Sequence, residues 1–243
     1  MAKYELSPDG KTLKYVNEYS EEMIIPDGVQ KIAKMAFRKM YCYGGSIMKK
    51  VVLPEGVKTI GIHAFGKCEN LESVNLPDTL TKIEDEAFLC CEGLTTISFP
   101  AKLKSIGSSA FAGCQLQTIE FAEGGKLTEI GNGAFSRVPI QTLTIPNGVK
   151  KLGSRAFYGC KNLKTVVLPE GIELFDEFNI FEGCEALETI NIPASLTNLG
   201  YKAFKGCTSL KNITVNPNNP SYIMKDGKLM TKDLQKQIFP VEE

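Results

Sequence analysis

The chain has no tryptophan, a single histidine, His63, and no net charge, with 28 basic residues balanced by 28 acidic ones. Each shortage removes a class of function. One histidine excludes the H-E-x-x-H zinc arrangement, and any Ser-His-Asp or Cys-His constellation would have to use His63. Zero net charge cannot supply the phosphate neutralisation that dominates non-specific affinity for DNA or RNA. The one basic cluster, Lys49-Lys50, reads as a solvated strand edge. No run approaches the ~20 apolar residues of a membrane-spanning helix. The opening residues Met1-Ala2-Lys3-Tyr4-Glu5 lack the apolar stretch of a secretory leader.

What the chain has is self-similarity. The segment from Leu76 to Ser98 returns, degenerately, about eight times with a 23-residue step. A proline follows a large apolar residue at Pro26, Pro54, Pro77, Pro100, Pro146, Pro169 and Pro193. Eleven residues on in a regular unit stands an Ala-Phe pair, as in Ala64-Phe65, Ala87-Phe88, Ala110-Phe111 and Ala156-Phe157, with Ile180-Phe181 as a variant. Three residues after the Phe comes Cys68, Cys91, Cys114, Cys160, Cys184 or Cys207, replaced by Met40 and Val138 in two units. So short a unit cannot enclose its own apolar residues, which requires coils stacked on a shared ladder of side chains. Leu71, Val74 and Leu76 fit a strand, one per coil, and Leu80, Ile83, Ala87, Phe88 and Cys91 fit the returning arc. The glycine after the Ile column (Gly61, Gly107, Gly131, Gly153, Gly200) reads as a turn. Ala33, Glu84 and Asp176 hold the same place, so positive φ is not compulsory there.

These residues resemble the leucine-rich repeats of the BspA-like (Treponema-type) class, with its L-P-x-x-L-x-x-I-G-x-x-A-F-x-G-C pattern, over residues 25 to 215. The resemblance implies an α/β solenoid: a right-handed leucine-rich repeat superhelix with a parallel β-sheet on the concave face and short turns or helical pieces on the convex face. It also implies a non-catalytic protein-interaction module without a cofactor, on a bacterial surface or secreted, engaged in adhesion or host contact. The alternative is an intracellular scaffold or architectural spacer with no ligand of its own. Repeat class alone names no ligand. The expected partner is a protein or extended peptide, with no nucleic acid, and a monomer is expected.

The ends differ from the coils, since a terminal coil would leave its stacking face open to water. Residues 1–24 read as a hairpin-like cap around Asp9-Gly10, a two-residue turn signal. Residues 216–243 read as a second, alternating around Asp226-Gly227. Leu6-Ser7-Pro8-Asp9 echoes Met230-Thr231-Lys232-Asp233. In the resembling class such a module often joins one block of repeats to the next; two unrelated caps would serve as well.

Cysteines one per coil line up in parallel rather than converge as zinc ligands do, and their Cβ atoms, about 5 Å apart, exceed the ~3.5–4.5 Å of a disulfide. They read as small buried hydrophobes, with Cys42 and Cys90 outside the column as the thiols to test for reactivity. His63 occupies a column holding Glu86, Ser109, Gly133, Arg155 and Lys202 elsewhere, which marks it as a solvent-facing turn. Gly124-Gly125-Lys126-Leu127 lacks phosphate-loop spacing and reads as an expanded loop; Glu84-Asp85-Glu86 and Asp176-Glu177 read as solvated faces, and Asn212-Ile213-Thr214 matches a glycosylation sequon. The remaining candidates are surfaces. One outward strand column reads Ser73, Thr96, Thr118, Thr142, Thr165, Thr189, Asn212. It is either a polar platform for a partner or simply β-branched residues suited to a solvated strand. A longer first unit places Tyr41 and Tyr43 on a Gly-containing loop expected to protrude, and the seventh unit gathers Phe175, Phe178 and Phe181.

Overall fold

A coil that cannot bury its own apolar residues must share them with its neighbours. The computed structural model, which describes residues 3–37, 47–172, 174, 175, 179–200 and 202–240, shows how. Each regular coil contributes two strands, not the single one expected: a longer one such as Thr96–Phe99 and a two-residue one such as Ser105–Ile106. The two-residue strands stack in parallel from Lys31–Ile32 to Leu174–Phe175 and join the N-terminal hairpin in one nine-stranded sheet. The longer strands form three smaller parallel sheets. One holds Glu22–Ile24, Lys50–Val52 and Ser73–Val74, and another pairs Thr96–Phe99 with Thr118–Phe121. The third holds Thr142–Thr144, Thr165–Val167, Thr189–Ile192 and Asn212–Val215. Between the two strands of a coil the chain reverses over the proline: the carbonyls of Pro77 and Pro100 accept the N–H groups of Leu80 and Leu103 at 2.9 and 3.1 Å. Proline at that place sacrifices no ladder donor.

The returning arc is a run of turns, and no helix occurs among the described residues. Within a coil, Ala N–H bonds back three residues, as from Ala64 to the Gly61 carbonyl at 3.1 Å. Between coils, Phe N–H reaches the Ala carbonyl of the next coil: Phe65 to Ala87 at 2.8 Å, Phe88 to Ala110 at 2.7 Å, Phe111 to Ala134 at 2.8 Å, Phe135 to Ala156 at 2.9 Å. The Phe rings follow the same translation. Consecutive centroids from Phe65 to Phe204 lie 5.0, 5.0, 5.5, 5.7, 5.9 and 6.2 Å apart, with rings within 10° of parallel. Parallel rings report the local displacement between coils. That displacement exceeds the about 4.8 Å between strands, so the stack widens toward the arc.

Left-handed backbone occurs twice in each arc from the one holding His63 to the one holding Asn179, at the residue two before the Phe (Ser109, φ 52°) and at the residue before the Cys column (Gly113, φ 74°). The glycines after the Ile column are not left-handed; they are there for close approach. A Cβ on Gly107 would fall 2.5 Å from Asp85 N, and one on Gly153 would fall 2.4 Å from Asn132 N.

Asp226 (φ 50°) and Gly227 (φ 76°) form the expected two-residue turn between Tyr222–Lys225 and Lys228–Thr231. Asp9-Gly10 does not; it sits in a longer loop between Tyr4–Leu6 and Thr12–Val16. A matching loop joins Lys228–Thr231 to Gln237–Phe239, so the C-terminal cap has three antiparallel strands. The two loops agree bond for bond. Ser7 and Thr231 hydroxyls donate to the Asp9 and Asp233 carboxylates at 2.5 and 2.6 Å, and accept from Thr12 N and Lys236 N at 2.9 and 3.0 Å. Lys11 N and Gln235 N donate to the same carboxylates at 3.1 and 3.0 Å. Gly10 and Leu234 are both left-handed, and a bulge separates Glu5 from Leu6 as it separates Leu229 from Met230.

The buried sides of the two hairpins are opposite. Leu13 and Val16 are buried beneath the first coil, while their counterparts Gln237 and Pro240 are half-buried and exposed. Leu229 and Ile238 are buried against the solenoid, while their counterparts are the exposed Glu5 and half-buried Lys14. Ile238→Glu is therefore expected to destabilise the protein by burying an unpaired charge. Lys14→Glu, at the matching place, should stay within about 0.5 kcal/mol of the parent in urea unfolding. Phe111, between Phe88 and Phe135 with Phe99 edge-on at 5.4 Å, should cost about 3–5 kcal/mol when cut to Ala. For a chain of this size that lowers the melting temperature by roughly 6–20 °C.

Candidate interaction surface

Alternation along the longer strands turns one column outward: Ile97, Leu143, Val166, Ile190 and Ile213 are buried, and the residues before them face out. Thr142, Thr165, Thr189 and Asn212 are directly paired across one four-stranded sheet, and Thr96 pairs with Thr118 on another. Ser73 pairs instead with Lys50. The column is thus brought together in three segments rather than one. Thr165 and Thr189 are half-buried and the others exposed. The next outward column is mixed: Ser98 donates to Glu120 at 2.6 Å, Val167 is exposed, and the Asn191 amide is spent on the Leu168 backbone at 2.7 and 2.8 Å. The gap between the second and third sheets coincides with Gly124 (φ 64°), whose turn closes with Gly125 N on the Ala122 carbonyl at 3.2 Å. That segment is the loop expected from its sequence.

Tyr41, Tyr43, Cys42, Phe178, Asp176 and Glu177 lie outside the described residues. His63 is not on the surface. Its side chain is 8% exposed, lying over Gly66, where a Cβ would fall 2.5 Å from ring atoms, and its Nδ1 is 3.2 Å from the Glu86 carboxylate. The small residue beneath it lets the ring fold inward where Glu86 and Arg155, in the same column, point out. The three carboxylates of Glu84-Asp85-Glu86 are not paired with one another. Glu84 accepts from Ile62 N at 3.2 Å, Asp85 from Ser108 N at 2.8 Å, and Glu86 meets His63. Among the described residues no three His, Cys, Asp or Glu side chains converge as metal ligands.

The cysteine column is buried, and it is more than an apolar filler. The thiols of Cys91, Cys114, Cys160, Cys184 and Cys207 donate to the carbonyls of Phe65, Phe88, Phe135, Phe157 and Phe181 in the preceding coil, at 3.0 to 3.2 Å. Burial pushes the Cys91 thiol well up. The hydrogen bond with Cys91, then burial, does the same to Cys114. Cys90 sits outside the column, half-buried, and burial raises it too. With thiolate the reactive species, Ellman's reagent should leave the six column cysteines unmodified in native protein and label Cys90 slowly. All should react once guanidinium unfolds the chain.

The stacked two-sheet coils with ring and thiol ladders define a leucine-rich-repeat type of solenoid. The BspA type leucine rich repeat region matches residues 14–137 and 128–240, in six copies, and the chain belongs to that family. The T. pallidum leucine rich repeat protein TpLRR is similar at 30% identity, over 85% of this chain and 86% of that one, with a TM-score of 0.56. A leucine-rich repeat protein from Bacteroides ovatus is similar at 27% identity with a TM-score of 0.62. There the match takes 89% of this chain and 52% of the other, so this chain spans about half its length. No curated protein matches the chain.

Proposed function

We propose that this chain is a non-catalytic binding module of a bacterial surface or secreted protein, holding a protein or extended peptide against its Thr-bearing sheets, with residues 1–24 and 216–243 as caps. The observation that carries this reading is the row Thr142, Thr165, Thr189 and Asn212. The four residues are in register on one sheet, and no hydroxyl of the row is engaged by another described residue. A rigid row of unspent hydroxyls next to an exposed Val167 offers hydrogen bonds and a small apolar contact to an extended partner. Membership of a repeat family generally used for protein interaction supports the same reading. No helix of the described residues is long and apolar enough to cross a membrane.

The test is a Thr165→Lys/Thr189→Lys variant. Partners captured by the parent protein are identified, purified and titrated against both forms. Affinity is expected to fall at least about tenfold, or 1.4 kcal/mol, while the melting temperature falls by no more than about 4 °C from the two lysines facing each other across the sheet. An unchanged affinity would reject the row as the contact surface.

A further inference from the structure

A second surface, on the arc side, differs from the rest of the molecule. Two adjoining grooves, of about 610 and 630 Å³, share Arg137 and Tyr158. Both fall in the range of small-ligand clefts, about 300–1,000 Å³. In a chain with as many acidic as basic residues, no carboxylate among the described residues lines the first groove, and the one that lines the second, Glu185, pairs with Lys161 at 2.9 Å. Of the three arginines in the sequence, Arg38 lies outside the described residues; the other two, Arg137 and Arg155, both line the first groove. Neither is ion-paired to a described residue, and the Arg155 guanidinium lies 5.7 Å from the Tyr158 ring centroid.

Arg137 is left-handed (φ 63°) at the place before the Cys column, which four coils fill with Gly113, Gly159, Gly183 and Gly206 and two others with Lys67 and Cys90. A side chain there costs about 1–2 kcal/mol, which the stack carries at all three non-glycine positions.

We propose that this arc groove binds an acidic oligosaccharide, with its sulfate or carboxylate groups on the Arg137 and Arg155 guanidinium forks and its hydroxyls on Ser109 and Ser136. Guanidinium groups take such anions through paired charge-assisted hydrogen bonds. The wall beside the two guanidinium groups carries the Ser109 and Ser136 hydroxyls, which suits a ligand that brings hydroxyls along with its negative charge, as each unit of a sugar acid does. Tyr158 supplies the aromatic face that the Thr-bearing sheets lack. The groove is on a different part of each coil from the Thr row, and the proposal does not depend on that row.

Calorimetric titration of the whole chain with a sulfated tetrasaccharide tests it, beside a neutral tetrasaccharide and an oligo-aspartate peptide. The informative variant is Arg137→Gly/Arg155→Gly, because Gly113 and Gly133 already hold those two columns in a neighbouring coil and left-handed glycine is unstrained. Lys104→Ala/Lys151→Ala removes the same charge from exposed residues that line neither groove. The sulfated sugar should bind the parent and bind the glycine variant at least about tenfold more weakly. The alanine variant should change by less than about twofold, and the other two ligands should bind at least about tenfold more weakly than the sulfated one. No binding of the sulfated sugar overturns the proposal. Equal loss in both variants means diffuse charge attraction, and equally tight oligo-aspartate means an acidic-peptide site; either result also overturns it. None of these outcomes bears on the Thr row.

Discussion

The structure depends on one hydrogen bond repeated down the stack, from the Phe N–H of one coil to the carbonyl of the residue before the next Phe, which is alanine except at Ile180. Its geometry sets the other residues of the arc. A backbone-to-backbone bond between turns favours a small acceptor residue, alanine in every described coil but the one where Ile180 accepts at 3.1 Å; the donor's ring then lies over the next ring at nearly constant tilt, so the donor is phenylalanine. The Phe carbonyl is left to accept the N–H of its own coil's Cys, as from Cys91 N to Phe88 O at 3.3 Å, and the thiol of the next coil's Cys, as from Cys114 at 3.0 Å. A carbonyl oxygen has two lone pairs, and in these coils both are used. Valine at 138 keeps the packing and forgoes the thiol bond.

The same constraint accounts for the backbone strain. Nine non-glycine residues among the described residues of the coils are left-handed, including Met35, His63, Glu86 and Cys90. Single residues of this kind cost energy unless the surroundings over-determine them. Here they are held by bonds to the next coil, such as His63 N to the Asp85 carbonyl at 2.9 Å and Glu86 N to the Ser108 carbonyl at 2.8 Å. The arc and the nine-stranded sheet are continuous while the longer strands form three separate sheets. Register is therefore fixed by the arc and the two-residue strands, and the longer strands can part at Gly124 without breaking the stack.

Much of this was legible in the sequence, because packing repeats. The Ala-Phe and Cys columns identified the ladder, and Asp226-Gly227 identified its turn. What was missed has a physical reason in each case. A two-residue strand such as Lys82–Ile83 is too short for alternation to announce it. The glycine column after Ile is required by close approach, while left-handed backbone lies at columns where Ser109 or Arg155 gives no glycine signal; the glycines before Cys were the clue. His63 was misplaced on the surface because its column varies, yet burial there depends on what lies beneath each residue, in this case Gly66. The echo between Leu6-Ser7-Pro8-Asp9 and Met230-Thr231-Lys232-Asp233 was visible. The reversal of buried faces needs the strand register to be known.

Regularity and irregularity carry different information in a repeat protein. A residue that returns at every coil is answerable first to stacking, and the Thr row is explained almost as well by a solvated strand's preference for β-branched residues as by a partner. A pair of like charges in neighbouring coils is not required by stacking. Arg137 shares with Lys67 and Cys90 a column where glycine is easier, Arg155 stands beside it in the next coil, and no described carboxylate lines the groove they share. Coil identity supplies a uniform scaffold, and departures from it concentrate charge in one place along the stack. A repeat fold can acquire a specific site in this way, by substituting exposed turn positions while every hydrogen bond between coils is kept.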